Sequence, residues 1–189
     1  MEALKQRIRD EAVVLKGNLI KVDRFLNHQL DVGLINQMGE AFKQHFFSTK
    51  VDKILTIEAS GIAIAAITAQ YFDVPVVFAK KAGSRVQVDS VYSTIIHSYT
   101  KNSDATVVVS KPFLNPGERI LIIDDFLAEG QAVKGLLDLV NQADATCVGV
   151  GIAIEKGFQH GGKELRSMGI DLFSLAIIAE ITSDGIRFD

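Results

Sequence analysis

The sequence predicts an α/β protein built on a mainly parallel sheet, and three observations carry that expectation. Short apolar runs of strand length alternate with helical segments from Lys53 onward. The runs are apolar almost throughout, as strands covered on both faces require. One of them, RILII from Arg119, ends in two consecutive aspartates followed by a glycine-containing loop and a helical stretch.

Along the chain, Leu4, Ile8, Ala12 and Leu15 recur at helical spacing and predict a short amphipathic helix that serves as a cover. After a broken stretch, Asp31 caps a second helix whose apolar positions are Leu34, Ile35, Met38, Phe42 and Phe46. The strand KILTIE, the helix GIAIAAITAQYF and the strand PVVFA follow. Between Lys80 and about Lys111 the chain turns polar and rich in Ser and Thr, and the alternation in STIIHSYT predicts a β-hairpin excursion. RILIIDD, a helix from about Gln131 to Gln142, TCVGVGIAIE and FSLAIIA complete the pattern. The economical organisation is one domain over residues 1–189, with one long functional loop over about 82–110.

Composition narrows the function classes. At 189 residues and 48% hydrophobic content, the chain can bury roughly 70% of its unfolded surface. Its one cysteine, Cys147, forms no internal disulfide, and MEALKQRIRD lacks the apolar centre of a signal peptide, so a reducing cytoplasm is expected. No apolar stretch reaches the roughly 18 residues of a membrane span. A net charge of −3 with scattered Lys and Arg gives no field for nucleic acid. The four histidines, His28, His45, His97 and His160, stand apart from one another and from Cys147, so no zinc site is expected.

In open sheets of this kind ligands bind beyond the carboxyl ends of the strands. There the segment RILIIDDFLAEGQA, Arg119 to Ala132, combines an acidic pair with a phosphate cradle. Ala128, Glu129, Gly130, Gln131 and Ala132 bring successive backbone N–H groups to a helix N-terminus, which suits a dianionic phosphate. Asp124 and Asp125 would repel phosphate at contact distance but accept hydrogen bonds from sugar hydroxyls. A sugar phosphate meets both demands.

This segment resembles the phosphoribosyl-pyrophosphate signature of the type I phosphoribosyltransferases. Ala128 and Ala132 depart from the Thr or Ser that many members carry around the glycine, which leaves more of the binding to backbone N–H groups and Gln131. The resemblance implies that family's fold, with a small N-terminal hood over about 1–30 and a mobile hairpin. It implies that Glu58, Ser60 and Gly61, after the first core strand, hold pyrophosphate oxygens together with Lys81, and that Ser98 and Tyr99 belong to the closing loop. KVDRFLNHQ, the alanine-flanked loop and IEKGFQ look like the bacterial xanthine-using branch, in which Ile20, Asn27 and Lys156 would contact the base.

What the resemblance implies chemically is transfer of phosphoribose to xanthine, with Mg²⁺ bridging substrate oxygens and keeping its waters, so that no protein metal-ligand motif is expected. A homodimer is implied as well. Two other readings remain open: a guanine or hypoxanthine transferase, and a regulator that binds phosphoribosyl pyrophosphate without turnover. The second normally carries an added DNA-binding domain, whereas only about fifty residues precede the first core strand here.

Overall fold

The computed structural model describes residues 1–16, 18–82, 90–98, 103–182 and 185–189. Its elements are α1 (Glu2–Glu11), β1 (Val13–Leu15), β2 (Leu19–Lys21), α2 (Val32–His45), β3 (Lys53–Ile57), α3 (Ser60–Phe72), β4 (Val76–Lys81), β5 (Val91–Ser98), β6 (Ser103–Ser110), β7 (Arg119–Leu127), α4 (Gln131–Gln142), β8 (Thr146–Lys156), α5 (Gly161–Ser167), β9 (Leu172–Thr182) and β10 (Gly185–Phe188). A single helical turn, Asp23–Asn27, links β2 to α2.

Eight strands form one sheet in the order β10-β9-β8-β7-β3-β4-β6-β5. The five central strands are parallel, with Ile54 opposite Val76 and Leu121 in the two neighbours of β3. Both edges are antiparallel. The chain runs from β3 outward to β4, then returns to β7 and builds outward on the other side. A crevice therefore opens between β3 and β7 at their carboxyl ends.

Two cores cover the sheet. Leu4, Ile8, Phe25, Ile35, Met38, Phe42, Phe46 and Ile64 pack with Leu121, Ile123 and Leu175 on one face. Val133, Leu136, Leu139, Val140 and Leu165 pack with Leu55, Ile120, Ile122 and Ile152 on the other. This explains the unbroken apolar runs: successive residues of β7 serve opposite cores.

The second helix starts as its sequence requires, with the Leu34 N–H donating to Asp31 Oδ1 at 3.0 Å. The first helix is shorter than its apolar spacing suggests. It stops at Glu11, Ala12 turns extended, and Leu15 lies in the exposed β1–β2 hairpin. Val13 and Val14, which lose side-chain freedom in a helix, favour the strand. The polar excursion is indeed a hairpin, but it extends the main sheet, because β6 pairs with β4 through Lys80 and Val108.

Polar clamps fix the amino ends of β3 and β7. Arg119 grips Asp52 through its guanidinium, with Nε to Oδ2 at 2.7 Å. Beside it, the buried Lys53 ammonium donates to both Glu118 carboxylate oxygens at 2.7 Å and to the Phe113 carbonyl at 2.8 Å. Burial works against the Glu118 anion, yet hydrogen bonds from Lys53 and Asn115 outweigh it and hold the carboxyl below its usual range. A depressed carboxyl stabilises the fold above the unfolded pKa and loses that effect as pH falls through the folded value. Lys53→Met should therefore lower unfolding free energy by about 2 kcal/mol at pH 7. The gap from wild type should narrow below about pH 4, as read by urea unfolding at several pH values; a pH-independent gap would assign the loss to packing alone.

Candidate active site

The crevice is floored by the acidic pair. Asp124 is 2% exposed, and Asp125 keeps part of its surface open. The Asp125 N–H donates to Asp124 Oδ1 at 3.0 Å, and the Phe126 N–H donates to Asp125 Oδ1 at 2.9 Å. Burial pushes the Asp124 carboxyl well above its usual range, and the neighbouring Asp125 charge adds to the shift. Burial raises Asp125 too, opposed by hydrogen bonds from the Phe126 N–H, from Asp124 and from Ser60.

The start of α3 closes over this pair. A Cβ on Gly61 would stand 2.1 Å from Thr56 Oγ1 and 2.9 Å from Asp124 Oδ1, so only glycine lets the helix approach so closely. Just before it, the Glu58–Ala59 peptide bond is cis. Glu58 accepts from the Lys81 N–H at 2.8 Å through Oε1, which joins the ends of β3 and β4. The exposed Lys81 side chain stands at the end of β4, while the Lys80 ammonium lies over the Phe78 ring, 5.1 Å from its centre.

Past the acidic pair, the loop Ala128 to Gly130 leads into α4. Gly130 has φ +79°, the left-handed conformation that lets strand turn directly into helix. Behind it sits Gly161, whose N–H donates to the Ala128 carbonyl at 3.1 Å. A Cβ on Gly161 would meet that carbonyl oxygen at 2.4 Å and the Gly130 nitrogen at 2.6 Å. The start of α5 thus backs the loop by direct backbone contact.

In front of the loop lies a cavity of about 500 Å³, whose wall runs from Phe126 through Ala132 to Val133 and includes Leu19, Ile96, His97, Lys156 and Gln159. Lys156 ends β8, and its ammonium donates to the Asn18 carbonyl at 3.1 Å. Burial lowers its pKa. The structure thus brings the expected phosphate loop and Lys156 to one cavity. Ser60, Gly61 and the two aspartates form an adjoining group. Ile20 is 5% exposed within the core, with its neighbour Leu19 on the cavity wall. Asn27 lies exposed at the end of its helical turn, off that wall. Ser98 ends β5, in register with Ser103, and Tyr99 falls outside the described residues.

Sequence reading missed the support behind the loop. Glu155 is 3% exposed and accepts two hydrogen bonds from Arg166, at 2.7 and 2.8 Å, and one from Ser174. Burial raises the Glu155 carboxyl, but these donors prevail and hold it below its usual range. The pair fastens α5 to the end of β8. The only signal in the sequence is a lone glutamate ending the apolar run VGVGIAIE.

A parallel sheet with a crevice at its switch point, a buried acidic pair and a backbone cradle define a sugar-phosphate transferase site. Residues 23–179 match the phosphoribosyl transferase domain, and the chain belongs to that family, as a type I member. Among curated relatives, xanthine phosphoribosyltransferase 1 of Clostridium perfringens is 57% identical over the whole of both chains. Xanthine phosphoribosyltransferase of Lachnoclostridium phytofermentans is 55% identical over 97% of this chain and 95% of its own. Among solved structures, adenine phosphoribosyltransferase of Thermoanaerobacter pseudethanolicus shares the fold at TM-score 0.77 and 24% identity, over 93% of this chain and 98% of its own.

The raised Asp124 carboxyl has a measurable signature. Unfolded, it ionises near pH 4; folded, it holds its proton to higher pH. The folded state binds the extra proton in that window, so stability is lost as pH rises through the folded pKa. Asp124→Asn has no such loss and should melt increasingly above wild type as pH climbs from about 4. Equal melting temperatures across pH 4 to 8 would show that Asp124 ionises without penalty.

Proposed function

We propose that this protein transfers the phosphoribosyl group of phosphoribosyl pyrophosphate to xanthine, giving xanthosine 5′-monophosphate and pyrophosphate. The observation that carries this reading is the 57% identity to a xanthine phosphoribosyltransferase from end to end of both chains. The cavity joining a backbone phosphate cradle to a half-buried lysine supports it.

In this reading the N–H groups around Ala128 to Ala132 hold the 5′-phosphate at the start of α4. Asp124 and Asp125 accept hydrogen bonds from the ribose hydroxyls. A ring nitrogen of xanthine forms the new bond to the anomeric carbon as the bond to pyrophosphate breaks, and the nitrogen's proton is released. Positive charge develops on the ribose during this displacement, next to the acidic pair. Glu58, Ser60, Gly61 and Lys81 form the pyrophosphate end, where backbone N–H groups and a cation meet the departing charge. Ser98 and Tyr99 cover the reaction and exclude water.

Asp124 and Asp125 would hold a hydrated Mg²⁺, which would supply charge neutralisation. The acidic pair fits such a hydrated cation, since the buried Asp124 and the half-buried Asp125 are neighbours, burial raises both carboxyls, and neither has an ion pair among the described residues. Arrival of that charge and of hydroxyl donors favours the ionised pair. Lys156 donates to the base from the cavity wall; Asn27 and Ile20 are the further contacts that the family resemblance implies, and the structure sets Asn27 off that wall and Ile20 in the core. The same reading makes the protein a cytoplasmic homodimer. Among the described residues no helix is long and apolar enough to cross a membrane.

A product assay with phosphoribosyl pyrophosphate, Mg²⁺ and xanthine, guanine, hypoxanthine, adenine or orotate tests the function, with xanthine expected to give the highest kcat/KM. Absence of xanthosine monophosphate would overturn the reading. Asp124→Asn with Asp125→Asn should cut turnover by roughly 100-fold or more while the protein remains folded. Asn27→Ala should reduce the kcat/KM ratio of xanthine over hypoxanthine, because only xanthine carries the second carbonyl oxygen; an unchanged ratio would remove Asn27 from base reading.

A further inference from the structure

The phosphate loop rests on a support whose centre is Glu155. This residue stands near the end of β8, in register with Leu127, the last residue of β7 before the loop. It is 3% exposed and takes no part in the cavity wall, so it does not touch a molecule held there. Its carboxylate accepts instead from Arg166 Nη1 and Nη2, at 2.7 and 2.8 Å, and from the Ser174 hydroxyl. Paired charge-assisted bonds of this kind fix direction as well as distance.

Two glycines carry that position to the loop. A Cβ on Gly162 would overlap Glu155 Oε1 and stand 2.7 Å from Arg166 Nη1, so the ion pair lies directly against the first turn of α5. One residue earlier, the Gly161 N–H donates to the Ala128 carbonyl at 3.1 Å, and a Cβ there would come within 2.6 Å of the Gly130 nitrogen. A second ion pair, Lys134 with Glu164 at 2.7 Å, ties α5 to α4, but both side chains are partly exposed and such pairs contribute little. Glu155 is the buried anchor, and the loop takes its position from α5.

We propose that Glu155 is a positioning residue for the 5′-phosphate: through Arg166 and the start of α5 it holds the backbone N–H groups from Ala128 to Ala132 where a phosphoryl group meets them. This rests on the phosphoribosyl-transfer reading given above. Backbone donors cannot re-aim as side chains do, and Ala128 and Ala132 bring no hydroxyl to compensate, so a small shift of α5 becomes lost binding. The effect belongs to one end of the substrate. In the same reading the pyrophosphate end is formed at β3, α3 and β4, on the other side of β7 from β8.

Charge and position predict opposite signs. Glu155 is an anion behind an anion site, so removing its charge alone would strengthen phosphate binding. Removing the anchor weakens it.

The test uses the whole protein and two inhibitors that each fill one end, ribose 5-phosphate at the loop and pyrophosphate at the other. Glu155→Met keeps most of the bulk and removes every acceptor. It should raise the Ki of ribose 5-phosphate about tenfold or more, and the KM for phosphoribosyl pyrophosphate with it. The Ki of pyrophosphate should stay within about twofold and kcat within about threefold, as loss of ground-state binding requires. Glu155→Gln deletes the same charge but keeps an acceptor for Arg166 and Ser174, so its rise should be smaller, about threefold. Gly161→Ala leaves the ion pair whole and presses on the loop directly. It should reproduce the split between the two inhibitors, and it carries the test if Glu155→Met does not fold.

A lower Ki of ribose 5-phosphate in either Glu155 variant would make the role of Glu155 electrostatic and overturn the proposal. Equal losses for both inhibitors, the mark of general loosening, overturn it too, as does no change in either. Wild-type protein that makes no xanthosine monophosphate overturns the transfer reading itself, and this inference with it. Wild-type turnover together with any of the three preceding outcomes overturns only the inference.

Discussion

A buried carboxyl and a half-buried neighbour at the end of a parallel strand set the terms for the rest of this structure. Asp124 and Asp125 receive backbone hydrogen bonds, yet burial still raises both above the ordinary carboxylate range. Such a pair opposes folding when ionised. It persists because the surrounding sheet is over-determined, and in the proposed reading because the substrate and its cation supply the hydroxyls and charge that the protein withholds. The site is thus unfavourable empty and favourable filled, an arrangement that proteins place where chemistry is done.

The stabilising contacts lie at a distance that leaves this arrangement undisturbed. Asp52 with Arg119 and Lys53 with Glu118 tie β3 to β7 at their amino ends, several residues before the aspartates. Glu155 with Arg166 fastens α5 behind the phosphate loop. Charged groups are therefore paired where the sheet needs alignment, while the two aspartates of the crevice have no ion pair among the described residues. The direct backing of Gly130 by Gly161 extends the same rigidity into the loop, whose N–H groups must point outward without help from a side chain.

The fold was legible where one residue pattern had one physical meaning. Apolar runs ending in acid or glycine gave the parallel strands, and Asp31 marked the start of α2. The β1–β2 hairpin was not legible, because Leu15 continues the spacing of Leu4, Ile8 and Ala12 although Val13 and Val14 resist the helix. β10 and α5 escaped as well, being short and lacking a clear apolar period. In the site, the phosphate loop could be read because its residues are consecutive. Lys156 came from family resemblance. Gly161 and Arg166 act through contacts with segments 11 to 33 residues away, which spacing cannot reveal.

Base selection lies apart from the scaffold. The adenine phosphoribosyltransferase of Thermoanaerobacter pseudethanolicus shares this fold at 24% identity and TM-score 0.77, so strand order does not distinguish a 6-oxopurine from adenine. The two kinds of base invert donor and acceptor on one edge, and a protein can match that inversion with a few side chains. Here the side chains available come from two pieces far apart in sequence, the N-terminal hairpin and the turn after β8. The Lys156 ammonium joins them through the Asn18 carbonyl. An ammonium has three donors, so in the proposed reading Lys156 can keep the Asn18 carbonyl while it donates to a base carbonyl, and the same cation then braces the N-terminal hairpin and meets the base. A base that offers a donor where Lys156 needs an acceptor gains nothing from it.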